Sequence, residues 1–224
     1  MATVEEFVEI VRSGDERRFK QMIETDPGIA QTAVDSYGGC SAPQLAMYVG
    51  QEDFAWALYR LHPHPDFATA CTLGDLDRVR ELLGQQHDLL EDFSNDGFTP
   101  LCLASAYRHT RLVNYLLDEG ADPNGQSQAQ GGVRPLDCAV IGRSRDVVRL
   151  LLDMGADPNL SYDGGQRPVH GAAKNGDQVM LENLVMRGAD IRARTQSGDT
   201  PLSLARSKGH HHVAHYIESN FGGM

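Results

Sequence analysis

Lysine is scarce in this chain of 224 residues, cysteine is too scarce and too scattered for a disulfide framework, and no run of about eighteen apolar residues occurs. The only lysines are Lys20, Lys174 and Lys208, and the formal net charge is −11. Phosphate backbones and anionic lipid surfaces are held by accumulated Lys and Arg, so neither nucleic acid nor a membrane surface is an expected partner. Cys40, Cys71, Cys102 and Cys138 stand far apart without a paired pattern, which reads as reduced, packed thiols. The N-terminus carries acidic Glu5, Glu6 and Glu9 instead of a basic, apolar leader. Secretion and membrane spanning are therefore not expected, and the cytoplasm is the expected location. Acidic residues outnumber basic ones roughly two to one through the first half, whereas Arg187, Arg192, Arg194, Arg206 and Lys208 make the C-terminal end locally basic.

What the sequence does have is a period. Pro100, Pro135, Pro168 and Pro201 lie 35, 33 and 33 residues apart, and each is followed by an apolar residue (Leu101, Leu136, Val169, Leu202). An alanine stands four residues after each proline (Ala104, Ala139, Ala172, Ala205). A second block repeats in register: Leu116-Leu117-Asp118-Glu119-Gly120-Ala121-Asp122-Pro123-Asn124, then Leu151 to Asn159, then Leu184-Val185-Met186-Arg187-Gly188-Ala189-Asp190. Proline at a first helical position gives up no needed donor, and Thr99 or Thr200 before it suits a helix cap. Gly120, Gly155 and Gly188 suit left-handed C-terminal caps, and Asp-Pro-Asn stops the helix. Each period thus encodes helix, turn, helix, loop. Small Ala104, Ala172 and Ala173 permit close helix approach, while Leu112, Val113, Val147 and Val148 supply the apolar face of the second helix.

With Gly97-Phe98-Thr99-Pro100-Leu101 and Gly198-Asp199-Thr200-Pro201-Leu202, these blocks closely resemble the ankyrin repeat. The resemblance implies an all-α ankyrin-repeat solenoid of stacked helix-turn-helix units with projecting loops. Weaker copies lie upstream: Phe67 to Leu83, a shortened copy from Ser41 to Leu61, and an N-terminal capping copy from Val4 to Ile23. That makes about seven units, the first three degenerate, as the water-facing ends of an array tend to be. The expected organisation is a single solenoid over 1–224, with irregular capping repeats in 1–65, a degenerate repeat in 66–95, well-matched repeats in 96–195 and a C-terminal capping repeat in 196–224.

Catalysis needs groups that converge. Cys102, Asp137, His170 and Ser203 share the position two after the proline, but helices pack about 8–10 Å apart, which holds Cys102 and His170 on the order of 20 Å from each other. In the family this position usually carries a histidine that ties adjacent turns, and only His170 keeps it; Arg134 and Arg167 replace the usual threonine and put that local scheme in doubt. His210, His211, His212 and His215 cluster near the C-terminus, where His211 and His215 share a helical face as zinc ligands sometimes do, though exposed capping histidines account for the pattern as well. His62-Pro63-His64 is a weaker pair. Gly131-Gly132 and Gly164-Gly165 read as turn glycines. No catalytic set, cofactor site or metal site is expected.

What remains is a surface. The resemblance implies a concave groove gripping a protein partner, and the family's contact offsets select Asn95, Asp96, Phe98, Ala106 and Tyr107, then Val133 and Ile141. The same offsets select Asp163, Gln166, Lys174 and Asn175, then Gln196, Ser197, Asp199, Ser207 and Lys208. The turn Gly125 to Gly132 accounts for the 35-residue spacing and reads as a flexible tip or a recognition finger. The expected function is a non-enzymatic adaptor, scaffold or inhibitor. Two alternatives stand beside it: an enzyme or small-molecule binder with a pocket around Trp56, Tyr59, His62 and His64, and a self-associating protein whose acidic N-terminal half meets a basic C-terminal end.

Overall fold

The computed structural model describes residues 3–31, 33–34, 39–62, 64–129 and 131–222. Fourteen α-helices follow one another in seven pairs among these residues, together with one short antiparallel ribbon pairing β1 (Ala33–Val34) with β2 (Cys40–Ser41). The chain divides into two compact units, Met1–Pro100 and Leu101–Met224.

In the first unit even the copies with the weakest motifs form helix pairs. They are α1 (Val4–Ser13) with α2 (Glu16–Thr25), α3 (Ala42–Tyr48) with α4 (Glu52–Leu61), and α5 (Phe67–Leu73) with α6 (Leu76–Gln85). Short polar side chains start these helices. The Thr3 hydroxyl accepts from the Glu6 amide at 3.1 Å, and Asp15, Asp66 and Asp75 accept from the amides of Arg18, Thr69 and Arg78. Phe7, Ile10, Leu45 and Leu58 are buried at 2% exposure or less, and the rings of Phe19 and Phe54 stack with centroids 3.9 Å apart. Polar ties complete the packing. Gln44 Nε2 donates to Thr72 Oγ1 at 3.3 Å, and the Tyr59 hydroxyl donates to Asp75. Residues 1–100 hold seven Lys and Arg against eighteen Asp and Glu, a balance of −11, whereas 101–224 hold thirteen of each. All of the net charge therefore belongs to the first unit.

The second unit is the regular part. Its first, inner helices are α7 (Pro100–Ala106), α9 (Pro135–Ile141), α11 (Pro168–Asn175) and α13 (Pro201–Ser207). Their partners are α8 (Thr110–Asp118), α10 (Arg145–Asp153), α12 (Gln178–Met186) and α14 (His211–Phe221). The expected apolar positions Leu112, Val113, Val147 and Val148 are buried, as are Ala104, Ala172 and Ala173. Half of the capping scheme survives the loss of threonine. The amides of Arg134, Arg167 and Thr200 donate to Asp137 Oδ2, His170 Nδ1 and Ser203 Oγ, at 3.0, 3.1 and 2.9 Å. Only Thr200 returns the bond, accepting from the Ser203 amide, because a guanidinium has no acceptor.

Two devices join one repeat to the next. Asn124 Nδ2 donates to the Gly155 carbonyl while its Oδ1 accepts from the Asp157 amide, and Asn159 does the same with Gly188 and Asp190, at distances between 2.8 and 3.1 Å. That reciprocal pair gives the Asp-Pro-Asn block its purpose. At the other end of the inner helices, Gly142 lies so close to α7 that a Cβ there would come within 2.3 Å of the Ala106 carbonyl oxygen. The turn leaving each inner helix places its residue in the left-handed region. Gly176 (φ 71°) and Gly209 (φ 75°) do so freely, but Arg108 (φ 65°) and Arg143 (φ 57°) each do so at a cost of roughly 1 kcal/mol.

Candidate functional site: the exposed edge of the inner helices

The tempting reactive groups are locked into the structure. The His170 ring is fully buried, Nδ1 accepts from the Arg167 amide, and Nε2 therefore carries the hydrogen donated to the Ala193 carbonyl at 3.0 Å. Burial lowers its pKa, so the ring is neutral and serves as the tie between turns. Cys102 donates to the Val133 carbonyl at 3.8 Å, and the Cys138 thiol is pushed up by its hydrogen bond to Cys102 and by burial, away from thiolate chemistry. Asp137 fills the histidine's place one repeat earlier. It is 2% exposed, its Oδ1 has no partner among the described residues, and burial pushes its pKa up to about 7 against the bond from Arg134.

The C-terminal histidines are spoken for in a similar way. His210 Nε2 donates to the Lys174 carbonyl and His212 Nε2 to the Gly176 carbonyl, tying one turn to the next. Among the described residues no group of three or more His, Cys, Asp or Glu is gathered as a metal would need. Trp56 and Tyr59 meet edge to face at 5.6 Å inside the packing of the first unit, and His64 is exposed; Pro63 lies outside the described residues. A cleft of about 210 Å³ in that unit is lined by Gln44, Asp66, Phe67, Asp92, Phe93 and Asn95 among others, not by the Trp56–His64 group.

The surface residues expected from the repeat offsets divide into anchors of the fold and exposed positions. Asn95 donates to the Gly39 carbonyl, Asp96 accepts from Tyr48 and Ser94, and the half-buried Phe98 is held through its amide by Ser94 Oγ. These three fasten a loop of the first unit. Val133 is 9% exposed, and its carbonyl closes the turn by accepting from the Ser127 amide. That turn is also pinned by the Asp163 amide on the Gly131 carbonyl, which ties its tip to the next loop; Gln130 lies outside the described residues. Gln166 is bonded to Tyr162, Asp199 to Ser197 and Thr195, and Asn175 donates to the Val140 carbonyl at 3.1 Å. Exposed side chains remain at Asp163, Lys174, Gln196, Ser197, Ser207 and Lys208, with Ile141 60% exposed and half-buried Tyr107 stacked on His109.

The turns carrying these residues touch in series. Gly142 abuts Ala106, Asn175 reaches Val140, and His210 and His212 reach Lys174 and Gly176. Arg108 and Arg143 belong to the same edge, and the offset scheme passed over them. The signal was present in the sequence: they stand eight residues after Pro100 and Pro135, where the two following repeats have Gly176 and Gly209. The edge has apolar contact area, cations and fixed backbone.

Comparison with known proteins agrees with this architecture. A family model described as ankyrin repeats (3 copies) matches residues 67–162, and another, ankyrin repeats (many copies), matches 153–205. Cyclin-dependent kinase 4 inhibitor B of Bos taurus is 36% identical over 159 residues, covering 70% of this chain and 92% of that protein. Ankyrin repeat and SOCS box protein 18 of Homo sapiens is 34% identical, covering 66% of this chain and 37% of its own length. Palmitoyltransferase AKR1 of Lachancea kluyveri is 30% identical, covering 65% of this chain but only 20% of that protein. From the periodic helix pairs, the buried turn-tying histidine and these matches together, the chain belongs to the ankyrin-repeat family.

Proposed function

We propose that this chain is a cytoplasmic, non-enzymatic protein-binding module, an adaptor, scaffold or inhibitor, whose working surface is the exposed edge and loop tips of the second unit. The observation that carries the reading is Ile141, a large apolar side chain left 60% exposed at the end of an inner helix, where Asn175, the neighbour of exposed Lys174, reaches the adjacent Val140 carbonyl. Such an anchor within a polar rim is how protein interfaces are built. The buried, hydrogen-bonded state of His170 and the raised Cys138 thiol argue against chemistry by the most reactive groups nearby. Ankyrin repeats generally serve as interaction modules, and one relative is named as an inhibitor of a kinase.

The test is affinity capture from native lysate with the intact chain, a surface variant carrying Ile141→Asp and Lys174→Glu, and a control carrying Met186→Asp on the outer helix α12, where Met186 is 81% exposed. A protein captured by the intact chain and the control but not by the surface variant supports the assignment. Equal capture by all three sinks it.

A further inference from the structure

Ten ion pairs join the described residues, and none of them includes Arg108, Arg143, Lys174 or Lys208. All four are exposed, and they follow one another along the contiguous turns that end α7, α9, α11 and α13. The acidic groups closest in sequence to this edge are already engaged: Asp177 holds Arg145 at 2.9 Å, and Asp146 holds Arg149 at 3.2 Å. His109, His210 and His212 add no negative charge to it. Arg17, Arg60, Arg111, Arg192 and Arg194 also stand outside these ion pairs, so what sets the four apart is that they follow one another along adjoining turns.

Two of the four are held at the expense of backbone comfort. Arg108 and Arg143 occupy the left-handed position that is glycine at Gly176 and Gly209 of this unit and at Gly14, Gly50 and Gly74 of the first. The C-terminal ends of α7 and α9 attract a cation. That attraction does not require the cation to sit in the strained residue, because a cation one or two positions earlier, as Lys208 and Lys174 show, meets the same helix end. Strained residues that persist cluster where a surface is used.

We propose that this edge binds an acidic, extended protein segment that lays carboxylates along Arg108, Arg143, Lys174 and Lys208 and an apolar side chain against Ile141. The proposal rests on the protein-binding reading above and names the chemical class of its partner. Four helices at about 10 Å spacing make an edge of about 30 Å, the length of about nine extended residues. Ile141 lies between the first and third cations, so the apolar anchor belongs near the middle of the segment. A row of point charges about 10 Å apart matches carboxylates about three residues apart on an extended peptide. The second unit holds thirteen basic and thirteen acidic residues, so beyond this row it offers a long polyanion such as nucleic acid no excess of positive charge.

The test uses the full chain and a fluorescein-labelled peptide of about twelve residues, glutamates with one central leucine, titrated by fluorescence anisotropy at low and physiological salt. Three further ligands serve as controls: the glutamine counterpart of the peptide, a lysine counterpart and a single-stranded oligonucleotide of similar charge. The decisive variant is Arg108→Gly with Arg143→Gly, which removes both charges while relieving the backbone. Its thermal midpoint is expected to equal or exceed the parent's, its affinity for the glutamate peptide to fall at least tenfold, and the salt dependence to flatten. Ile141→Ala is expected to weaken binding several-fold at unchanged salt dependence.

Absence of glutamate-peptide binding, equal binding by the glycine variant, or preference for the oligonucleotide would each overturn the proposal. So would peptide-free dimerisation of the parent in sedimentation that the glycine variant abolishes, because a second copy would then be the occupant. If the glycine variant loses nothing while Ile141→Asp with Lys174→Glu still loses a captured protein, the partner-binding reading stands and the acidic partner falls.

Discussion

Replacing Asp137 with asparagine should remove a pH dependence from the stability of the second unit. Asp137 occupies the place of His170 one repeat earlier, 2% exposed, with one carboxylate oxygen bonded to the Arg134 amide and the other without a partner among the described residues. Burial holds its pKa at about 7, against 3.8 when unfolded. A folded-state pKa above the unfolded one means that the native state keeps its proton longer. The contribution is therefore fully present below about pH 4, is lost as pH rises from there to about 7, and is level above. At about 1.4 kcal/mol per pH unit, the interval corresponds to about 4 kcal/mol as an upper bound. Asparagine keeps the shape and the acceptor for Arg134 but cannot ionise. Urea unfolding followed by far-UV circular dichroism at pH 5 and pH 8 measures the effect, while fluorescence of Trp56, the only tryptophan, reports the first unit separately. The variant should gain several kcal/mol over the parent at pH 8 and less at pH 5. Identical pH dependence in both proteins would refute the reasoning.

Further predictions follow from the same contacts. His170→Gln should cost about 2–3 kcal/mol through lost bonds to Arg167 and Ala193, and because the native pKa is lowered, the parent alone should lose stability from this group as pH falls below about 6.5, which acid titration of both proteins will show. Asn159→Ala removes the reciprocal bonds to Gly188 and Asp190 and should lower stability by about 1–2 kcal/mol in urea titration. Gly142→Ala drives a methyl to within 2.3 Å of the Ala106 carbonyl oxygen and should cost about 1–3 kcal/mol, read as a lower thermal midpoint. Tyr59→Phe leaves the packing in place but strips Asp75 of a buried-side bond, for about 1 kcal/mol, visible in Trp56 fluorescence during unfolding.

The repeat was legible because its signals are local. Proline at a first helical turn, glycine at a left-handed cap and Asp-Pro-Asn after it each fix one backbone feature, and their recurrence set helix boundaries such as Pro135–Ile141 and Pro168–Asn175. Even the copies without the proline were traceable through Gly14-Asp15 and Gly74-Asp75, since a left-handed glycine followed by a capping aspartate marks the turn between helices. The site was less legible because exposure is decided by the neighbouring repeat. Val133 is selected by the same offset scheme as exposed Ile141, yet it is 9% exposed, and its carbonyl closes the long turn against Ser127. Asn95, Asp96 and Asn175 look like rim residues, but their hydrogen bonds are directed back into the fold. Arg108 and Arg143 were visible as departures from glycine in an aligned repeat, and their meaning emerged only with the positive φ angles and the ion-pair pattern around them.

The most direct test of the binding surface is a hydrogen–deuterium exchange footprint of the chain with its captured protein partner. Slowed exchange is expected at the ends of the inner helices and their turns, around residues 106–108, 141–143, 174–176 and 207–209, with the outer faces of α8, α10 and α12 unchanged. Protection confined to those outer helices, or to the first unit alone, would contradict it.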